Sequence, residues 1–427
     1  MAMPRSLRCA AILGTLATLG SAGPAAAVTI TMSCSALGTE LELCREGAEA
    51  WAAATGNDVE LVSTPNSATE RLALYQQMLA SGASDIDVFV IDVIWPGILD
   101  SHLVDLSDLV PQDEIDQHFP AIVENNTVDG RLVALPWFVD AGLLYYRTDL
   151  LDAYGQAVPE TWADLTVAAE IIQEGERADG NAQFWGYVFQ ASAYEGLTCN
   201  ALEWIDAYGG ALIGDDGRPT VYSPFSQAAL EQAAEWVGST SPPGVLNYTE
   251  EESRGVWQAG NAAFMRNWPY AWALSQGEDS PIRGLVGVAA LPRGHGAEAR
   301  HTGVLGGAQL AVSRYSEHPD VAADLVRYLA GYDEQKRRAI EGSFNPTIIA
   351  LYEDAEVLAA NPFFGELLDT FTNAVARPSR ITGDRYNEVS SAFFSAVHSV
   401  LSGEAQAAQA LEDLEADLNR MSRGGRW

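Results

Sequence analysis

One carboxylate, Asp140, stands in the middle of the apolar and aromatic run Pro136-Trp137-Phe138-Val139-Asp140-Ala141-Gly142-Leu143-Leu144-Tyr145-Tyr146-Arg147. A charge buried in such a setting costs several kcal/mol unless it is paired or hydrogen-bonded. Either this is a buried strand whose Asp reaches an Arg or a backbone amide, or it is a strand leaving one lobe for another. In the second case Asp140 faces a cleft and hydrogen-bonds a polar ligand. A second group, Asn267-Trp268-Pro269-Tyr270-Ala271-Trp272, packs three rings into five positions. Aromatic faces cover the C–H faces of pyranose rings, while carboxylates and arginines bind hydroxyls by charge-assisted hydrogen bonds. Core packing at a strand end is the competing, commoner fate of such Trp residues.

Other residues carry the same two readings. Asp92 ends an apolar strand and is followed by Trp95; it is a rim carboxylate or a cap for the next turn. Gly306-Gly307 is a bulge, or a place where a ligand approaches the backbone. Arg377, within Val375-Ala376-Arg377-Pro378, is a surface residue or closes a pocket from the C-terminal region. The sequence contains no GxSxG, HExxH or GxxxxGK, and no GxGxxG follows a strand. The six His residues lack metal-ligand spacing, so neither metal nor cofactor is expected. Hydrolysis by two carboxylates stays open, because 58 acidic residues supply many pairs and nothing marks one out.

The elements that must position these residues begin with a strand, Val28 to Met32. Thr39-Glu40-Leu41-Glu42 reads as a capping box opening a helix that carries Leu41, Cys44, Ala48 and Trp51 on one face and stops at Gly56. A strand over 58–62, a helix over 68–80 and a strand over 86–92 follow. This β-α-β-α-β order predicts a parallel sheet flanked by helices. Ligands then bind outside the carboxyl ends of the strands, which puts the Ser33–Thr39 loop, Asn66 and Asp92 on one rim. Further on, Thr161 caps a helix, and strands are expected at 186–189, 285–291 and 303–312. From Pro319 the chain reads as mostly helical.

The chain has 427 residues, enough for two or three domain-sized units, and its hydrophobic fraction of 48% supports a large core. Arg5 and Arg8, a short apolar core and Ala25-Ala26-Ala27 predict an export signal over residues 1–27. Losing those two arginines takes the formal charge from -34 to -36. Lys336 is the single lysine. Such a surface argues against nucleic-acid binding and electrostatic membrane docking. The mature chain keeps Cys34, Cys44 and Cys199. In an oxidising compartment the two neighbours in sequence, Cys34 and Cys44, are expected to bridge, leaving Cys199 free and buried.

Taken together, several segments resemble the family 1 extracellular solute-binding proteins of ABC importers, and among them the trehalose/maltose-binding branch, which also takes up α-glucosides such as sucrose. They are Asp87-Val88-Phe89-Val90-Ile91-Asp92-Val93, Asp140-Ala141-Gly142-Leu143-Leu144-Tyr145-Tyr146-Arg147, Pro159-Glu160-Thr161-Trp162, Tyr194-Glu195-Gly196-Leu197, Gly260-Asn261-Ala262-Ala263-Phe264, Asn267-Trp268-Pro269-Tyr270-Ala271-Trp272 and Leu305-Gly306-Gly307. The resemblance covers almost the entire mature chain. It implies an α/β, two-lobed periplasmic binding protein fold of type II, each lobe a mixed, mostly parallel sheet flanked by helices, with the ligand cleft between lobes. The N-terminal lobe would take residues 28–140 with a return over 306–345, and the C-terminal lobe 141–305 with helices over 346–427. Glu40, Arg71, Asp92 and Asp140 would hydrogen-bond sugar hydroxyls. Trp268 and Tyr270 would give aromatic contact, Gly306 and Gly307 backbone contact, and Arg377 a further hydrogen bond. The resemblance also implies a monomer without catalysis that works in the periplasm and presents a sugar to ABC permease transmembrane subunits. One departure is plain: the branch has Gly-Gly-Trp where this chain has Ala308 in third place. The missing ring points to a smaller or turned ligand, such as another glycoside or a polyol, or to a substitute ring at Trp95 or Trp137. An exported glycoside hydrolase is the alternative from another class.

Overall fold

The structure, a computed structural model, describes Met1 and residues 27–366, 368–372 and 374–427. The expected export signal falls, apart from its two ends, outside the described residues.

Alternating or fully apolar segments form the strands β1 (Thr29–Ser35), β2 (Asp58–Thr64), β3 (Val88–Asp92), β4 (Leu135–Ala141), β5 (Leu143–Arg147), β6 (Trp185–Val188), β7 (Ala262–Asn267), β8 (Val286–Ala290), β9 (Leu305–Val312) and β10 (Asn345–Pro346). One sheet has the order β10-β4-β9-β3-β1-β2 and the other β8-β5-β7-β6. In the first, β1 runs parallel to β2 and β3, while β9 is antiparallel to β3 and β4. In the second, β5 is antiparallel to β7 and β8, and β6 is parallel to β7. The helices that matter for the site are α1 (Glu40–Thr55), α2 (Ala68–Ala80), α3 (Trp162–Ala178), α4 (Glu195–Ala207), α5 (Glu250–Gln258), α6 (Pro319–Ala330), α7 (Tyr332–Gly342) and α8 (Tyr386–Leu401).

Local chemistry explains most boundaries. Gly56 ends α1 in the left-handed region at φ 77°, as its type predicts. The Thr39–Glu42 capping box does not form, because Thr39 adopts φ -95° and ψ 7° and its side chain makes no cap hydrogen bond. Here Glu40 N instead closes a turn on Leu37 O at 2.9 Å. The capping box of α3, by contrast, pairs Thr161 with Asp164. Two strands start later than their apolar runs. Asp87 spends its carboxylate on Thr31 N at 2.9 Å, and β3 begins after it. Gly303 and Val304 leave the sheet to pair with Val375, and β9 begins at Leu305.

Three segments pass side by side between the sheets. The first is the β4–β5 join at Gly142. The second is Gly303–Leu305, and the third is Val375, whose N–H donates to Gly303 O at 2.9 Å and whose carbonyl accepts from Leu305 N at 2.8 Å. Gly142 is required by close approach: a Cβ there would lie 1.9 Å from Glu203 Oε1. Glu203 forms a fully buried ion pair with Arg266, Oε1 to Nη2 at 2.5 Å, directly behind this join. Leu351, Val357, Phe364 and Phe371, beyond β10, share one core with Leu143 and Tyr145 of the second sheet, Trp257 on α5 and Ala339 on α7. No helix among the described residues is long and apolar enough to cross a membrane.

Candidate ligand-binding cleft

The cleft lies where the carboxyl ends of β1, β2 and β3 face the second sheet. Ser35 ends β1, Leu37 and Glu40 follow it, Asn66 follows β2, and Asp92 ends β3. This is the rim that parallel-sheet topology dictates. Arg71 enters from α2, Phe138 and Asp140 from β4, and Gly306, Gly307 and Ala308 from β9. The opposite wall is Tyr194, Glu195, Gly196 and Cys199 at the start of α4, with Glu250 and Trp268. Arg377, from the third crossing segment, closes one side.

Arg377 is 2% exposed at its side chain and binds two carboxylates. Nη2 donates to Asp92 Oδ1 at 2.6 Å and Nη1 to Glu195 Oε1 at 3.0 Å. Asp92 Oδ1 also accepts from Ile94 N at 3.1 Å, so the carboxylate caps its turn and lines the cleft at once. Burial pushes the Glu195 carboxyl above the usual range, while Arg377 and Ser390 pull it back. Ser390 Oγ donates to Glu195 Oε2 at 2.6 Å.

Asp140 differs. Its carboxylate makes no hydrogen bond or ion pair with any described residue, although the residue is 9% exposed. Burial, and then the Glu40 charge, push its pKa up to about 8, against the pull of Arg266 and Arg338. Burial likewise raises the Glu40 carboxyl, opposed by Arg71 and Arg338. Two carboxyl groups thus face one buried space, and burial together with their mutual repulsion disfavours charging both.

Trp268 is clamped in place. The Arg266 guanidinium lies 3.9 Å from the centroid of its ring system, and its Nε1 donates to Glu250 Oε1 at 3.2 Å. A Cβ on Gly306 would come within 3.0 Å of the indole. Gly307 has φ 116°, and a Cβ there would sit 2.4 Å from Phe138 O, so this position excludes any side chain. The β4–β9 register slips between Ala308 and Gln309, where Trp137 is the extra residue on β4; Gly306 and Gly307 pair in register with Asp140 and Val139 and form a cleft wall, not the bulge itself.

Of the nine ligand-contact candidates read from the sequence, eight line this cleft. The exception is Tyr270, which donates its hydroxyl to Glu251 Oε1 at 2.8 Å and packs its ring on Gly38 across the mouth. Neither Trp95 nor Trp137 supplies a substitute ring. Trp95 is 1% exposed and packs on Tyr75 at 5.9 Å, and Trp137 is buried beneath Arg338 at 3.7 Å. By strand alternation Phe138 and Asp140 share one face of β4, whereas Trp137 is the extra residue of the bulge opposite Ala308 and Gln309 and packs on Arg338, and Trp95 lies in the turn after β3. The same period-2 rule applied to Asp140 would have found Phe138. Glu195, Cys199 and Glu250 were missed as site residues, and no local signal marks them, since they meet the cleft by lobe packing. Cys34 and Cys44 are bonded, and Cys199 is a free, buried thiol in the cleft wall. Among the described residues no group of three or more His, Cys, Asp or Glu side chains could hold a metal ion.

The family model for bacterial extracellular solute-binding proteins matches residues 39–336. The chain belongs to the bacterial extracellular solute-binding proteins. This solute-binding protein is 55% identical over 420 residues to a probable ABC transporter-binding protein of Deinococcus radiodurans, covering 98% of this chain and 99% of the relative. It is similar in structure to maltose-bound MalE3 of T. maritima, with a TM-score of 0.88, 38% identity, and coverage of 92% of this chain and 100% of that one. A solute-binding protein from Thermotoga lettingae, solved with α-D-tagatose, gives a TM-score of 0.82 at 22% identity, with coverage of 92% and 99%, and shares the fold. These neighbours have the type II periplasmic binding architecture, two mixed α/β units with flanking helices.

Proposed function

We propose that this solute-binding protein is the periplasmic substrate-binding subunit of an ABC sugar importer and that it takes an α-glucoside disaccharide such as trehalose, maltose or sucrose. The observation that carries this reading is Asp140: a buried carboxylate with no hydrogen bond or ion pair among the described residues, on the wall of Gly306 and across from the Trp268 ring. Sugar hydroxyls satisfy such a carboxylate, and an indole face covers the pyranose C–H face. The 38% identity to maltose-bound MalE3 supports the ligand class.

In this reading Glu40, Arg71, Asp92, Asp140 and Arg377 bind hydroxyls, Trp268 stacks, and Gly306 and Gly307 offer backbone. Tyr270 acts at the mouth, through Gly38. The lobes 28–140 with 306–345, and 141–305 with 346–427, close about the three crossing segments, and the closed monomer is presented to the permease. No bond is broken. Ala308 favours a second reading, a smaller glycoside or a polyol, because it offers a methyl group where the trehalose/maltose-binding branch has an indole. A thermal-shift screen of trehalose, maltose, sucrose, glucosylglycerol, mannitol and monosaccharides decides between them, since tight binding raises Tm as RT ln(1 + [L]/Kd). A shift with disaccharides alone supports the first reading. A shift with small polyols alone replaces it with the second, and no shift with any of them overturns both.

A further inference from the structure

Arg338, on α7, is 1% exposed, and its Nε, Nη1 and Nη2 have no hydrogen-bond partner among the described residues. Aromatic rings enclose it instead. Its guanidinium carbon lies 3.7 Å from the Trp137 centroid, 4.4 Å from Phe344 and 5.5 Å from Phe138. Cation–π contact offsets part of the desolvation cost of a buried guanidinium. The carboxyl groups whose charge reaches it are Glu40, Glu334 and Asp140, and Arg337 is the like charge beside it. Phe138 is shared: it lines the cleft and also packs against Arg338, and Asp140 is its neighbour on the same face of β4.

The other cleft arginines are differently engaged. Arg266 is spent on Glu203, and Arg377 on Asp92 and Glu195. Arg71 donates to Pro65 O at 3.4 Å and lies 5.5 Å from the Trp95 ring centroid. Glu40 faces Arg71 from α2, Arg338 from α7, and Ser35 at the end of β1. Its charge also reaches Tyr75. Asp140 faces Glu40 at the start of α1, Asp92 from β3, Arg266 from β7 and Arg338 from α7, with the hydroxyls of Tyr145 and Tyr352 beside it. The lone pairs of this carboxylate pair and the N–H groups of Arg338 are the unused polar capacity of one region.

We propose that Arg338 is a positioning residue of the cleft: its unpaired guanidinium, held behind Trp137 and Phe138, supplies the counter-charge that lets Glu40 and Asp140 carry negative charge inside a closed site. This deepens the sugar-binding reading and rests on it. Ionised carboxylates accept hydroxyl hydrogen bonds more strongly than neutral ones, so the counter-charge sets the pH range of tight binding. Removing it raises the pH at which the pair ionises.

Affinity for the sugar found by thermal shift is measured from pH 5 to 10 for the wild type, Arg338→Met, Arg338→Gln and Arg338→Lys, together with ligand-free Tm over the same range. In the neutral variants the rise of affinity with pH moves upward by about one unit, roughly tenfold weaker binding at mid-range pH, and Lys restores the wild-type profile. Without ligand, their stability goes on falling at pH values where the wild type has levelled off. An equal loss of affinity at every pH, or a Lys variant that behaves like the neutral ones, overturns the proposal. If Arg338→Met does not fold, Arg338→Gln decides by the same two outcomes. If no sugar binds the wild type, the sugar reading fails by itself, and the ligand-free Tm profile still judges Arg338.

Discussion

Arg377 Nη2 lies 2.6 Å from Asp92 Oδ1, and this contact ties the third crossing segment to the end of β3. The same guanidinium reaches Glu195 on the opposite wall, so one side chain holds both faces of the cleft. Arg377→Met leaves two buried carboxylates without their cation. Breaking a buried pair by removing one partner costs about 3–5 kcal/mol. The variant is expected to melt several degrees lower and to lose ligand binding. An unchanged Tm would show that Arg377 is not a structural clasp.

Asp140 gives a prediction with a definite sign. Its folded pKa of about 8 stands above the ordinary 3.8, so between these values the native state holds a proton that the unfolded chain has released. That contribution to stability is fully present below the lower value and is lost as pH rises through the higher one. Asp140→Asn is expected to flatten the fall of ligand-free Tm between pH 4 and 8 (roughly the window those two pKa values set). It is also expected to weaken sugar binding by about 10- to 100-fold, the worth of hydrogen bonds to a charged group. Calorimetry of the variant against wild type checks both. Near-normal affinity would return Asp140 to a purely structural role.

The two cleft glycines separate backbone from space. Gly307→Ala puts a side chain at φ 116° and against Phe138 O, and is expected to cost about 1–3 kcal/mol of stability as well as affinity. Gly306→Ala meets the Trp268 ring at 3.0 Å and the Asp140 Cβ at 3.3 Å, so it is expected to spare Tm more than affinity. Chemical denaturation and ligand titration of both variants read the contrast, and equal loss of stability would contradict it.

The Cys34–Cys44 bridge closes the segment that carries Leu37 and Glu40. Reduction, or a double Cys→Ser variant, is expected to remove about 2–3 kcal/mol, the order for a short closed loop. Affinity should fall with it, because the start of α1 that carries Glu40 then keeps the turn at Leu37 but loses its covalent link to β1. Full affinity after reduction would show that the turn suffices.

Much of this was legible one residue at a time. β-α-β-α-β order, the Gly56 stop, the Thr161 cap and the awkward carboxylate at Asp140 all follow from local types and spacings, since secondary structure answers to short-range periodicity and caps. The rim of the Ser33–Thr39 loop, Asn66 and Asp92 followed from one further rule, that parallel strands open their carboxyl ends to ligands. Where local reasoning failed, a tertiary contact had won. Thr39 reads as a cap, but its backbone takes a turn conformation. Trp95 and Trp137 read as sugar-facing rings, but the Tyr75 contact and the Arg338 contact at the β4 bulge face them inward.

By itself the sequence determined the fold class, the disulfide and most of the cleft-lining residues, because short segments carry the backbone pattern and the side-chain chemistry that define them. The tertiary structure decided which charges meet. Nothing in the spacing of Asp92, Glu195 and Arg377 couples them, nor does it place Arg338 unpaired behind Phe138. Those relations arise when three crossing segments and two sheets exclude water from the same space, where a charge must find a partner or go without one.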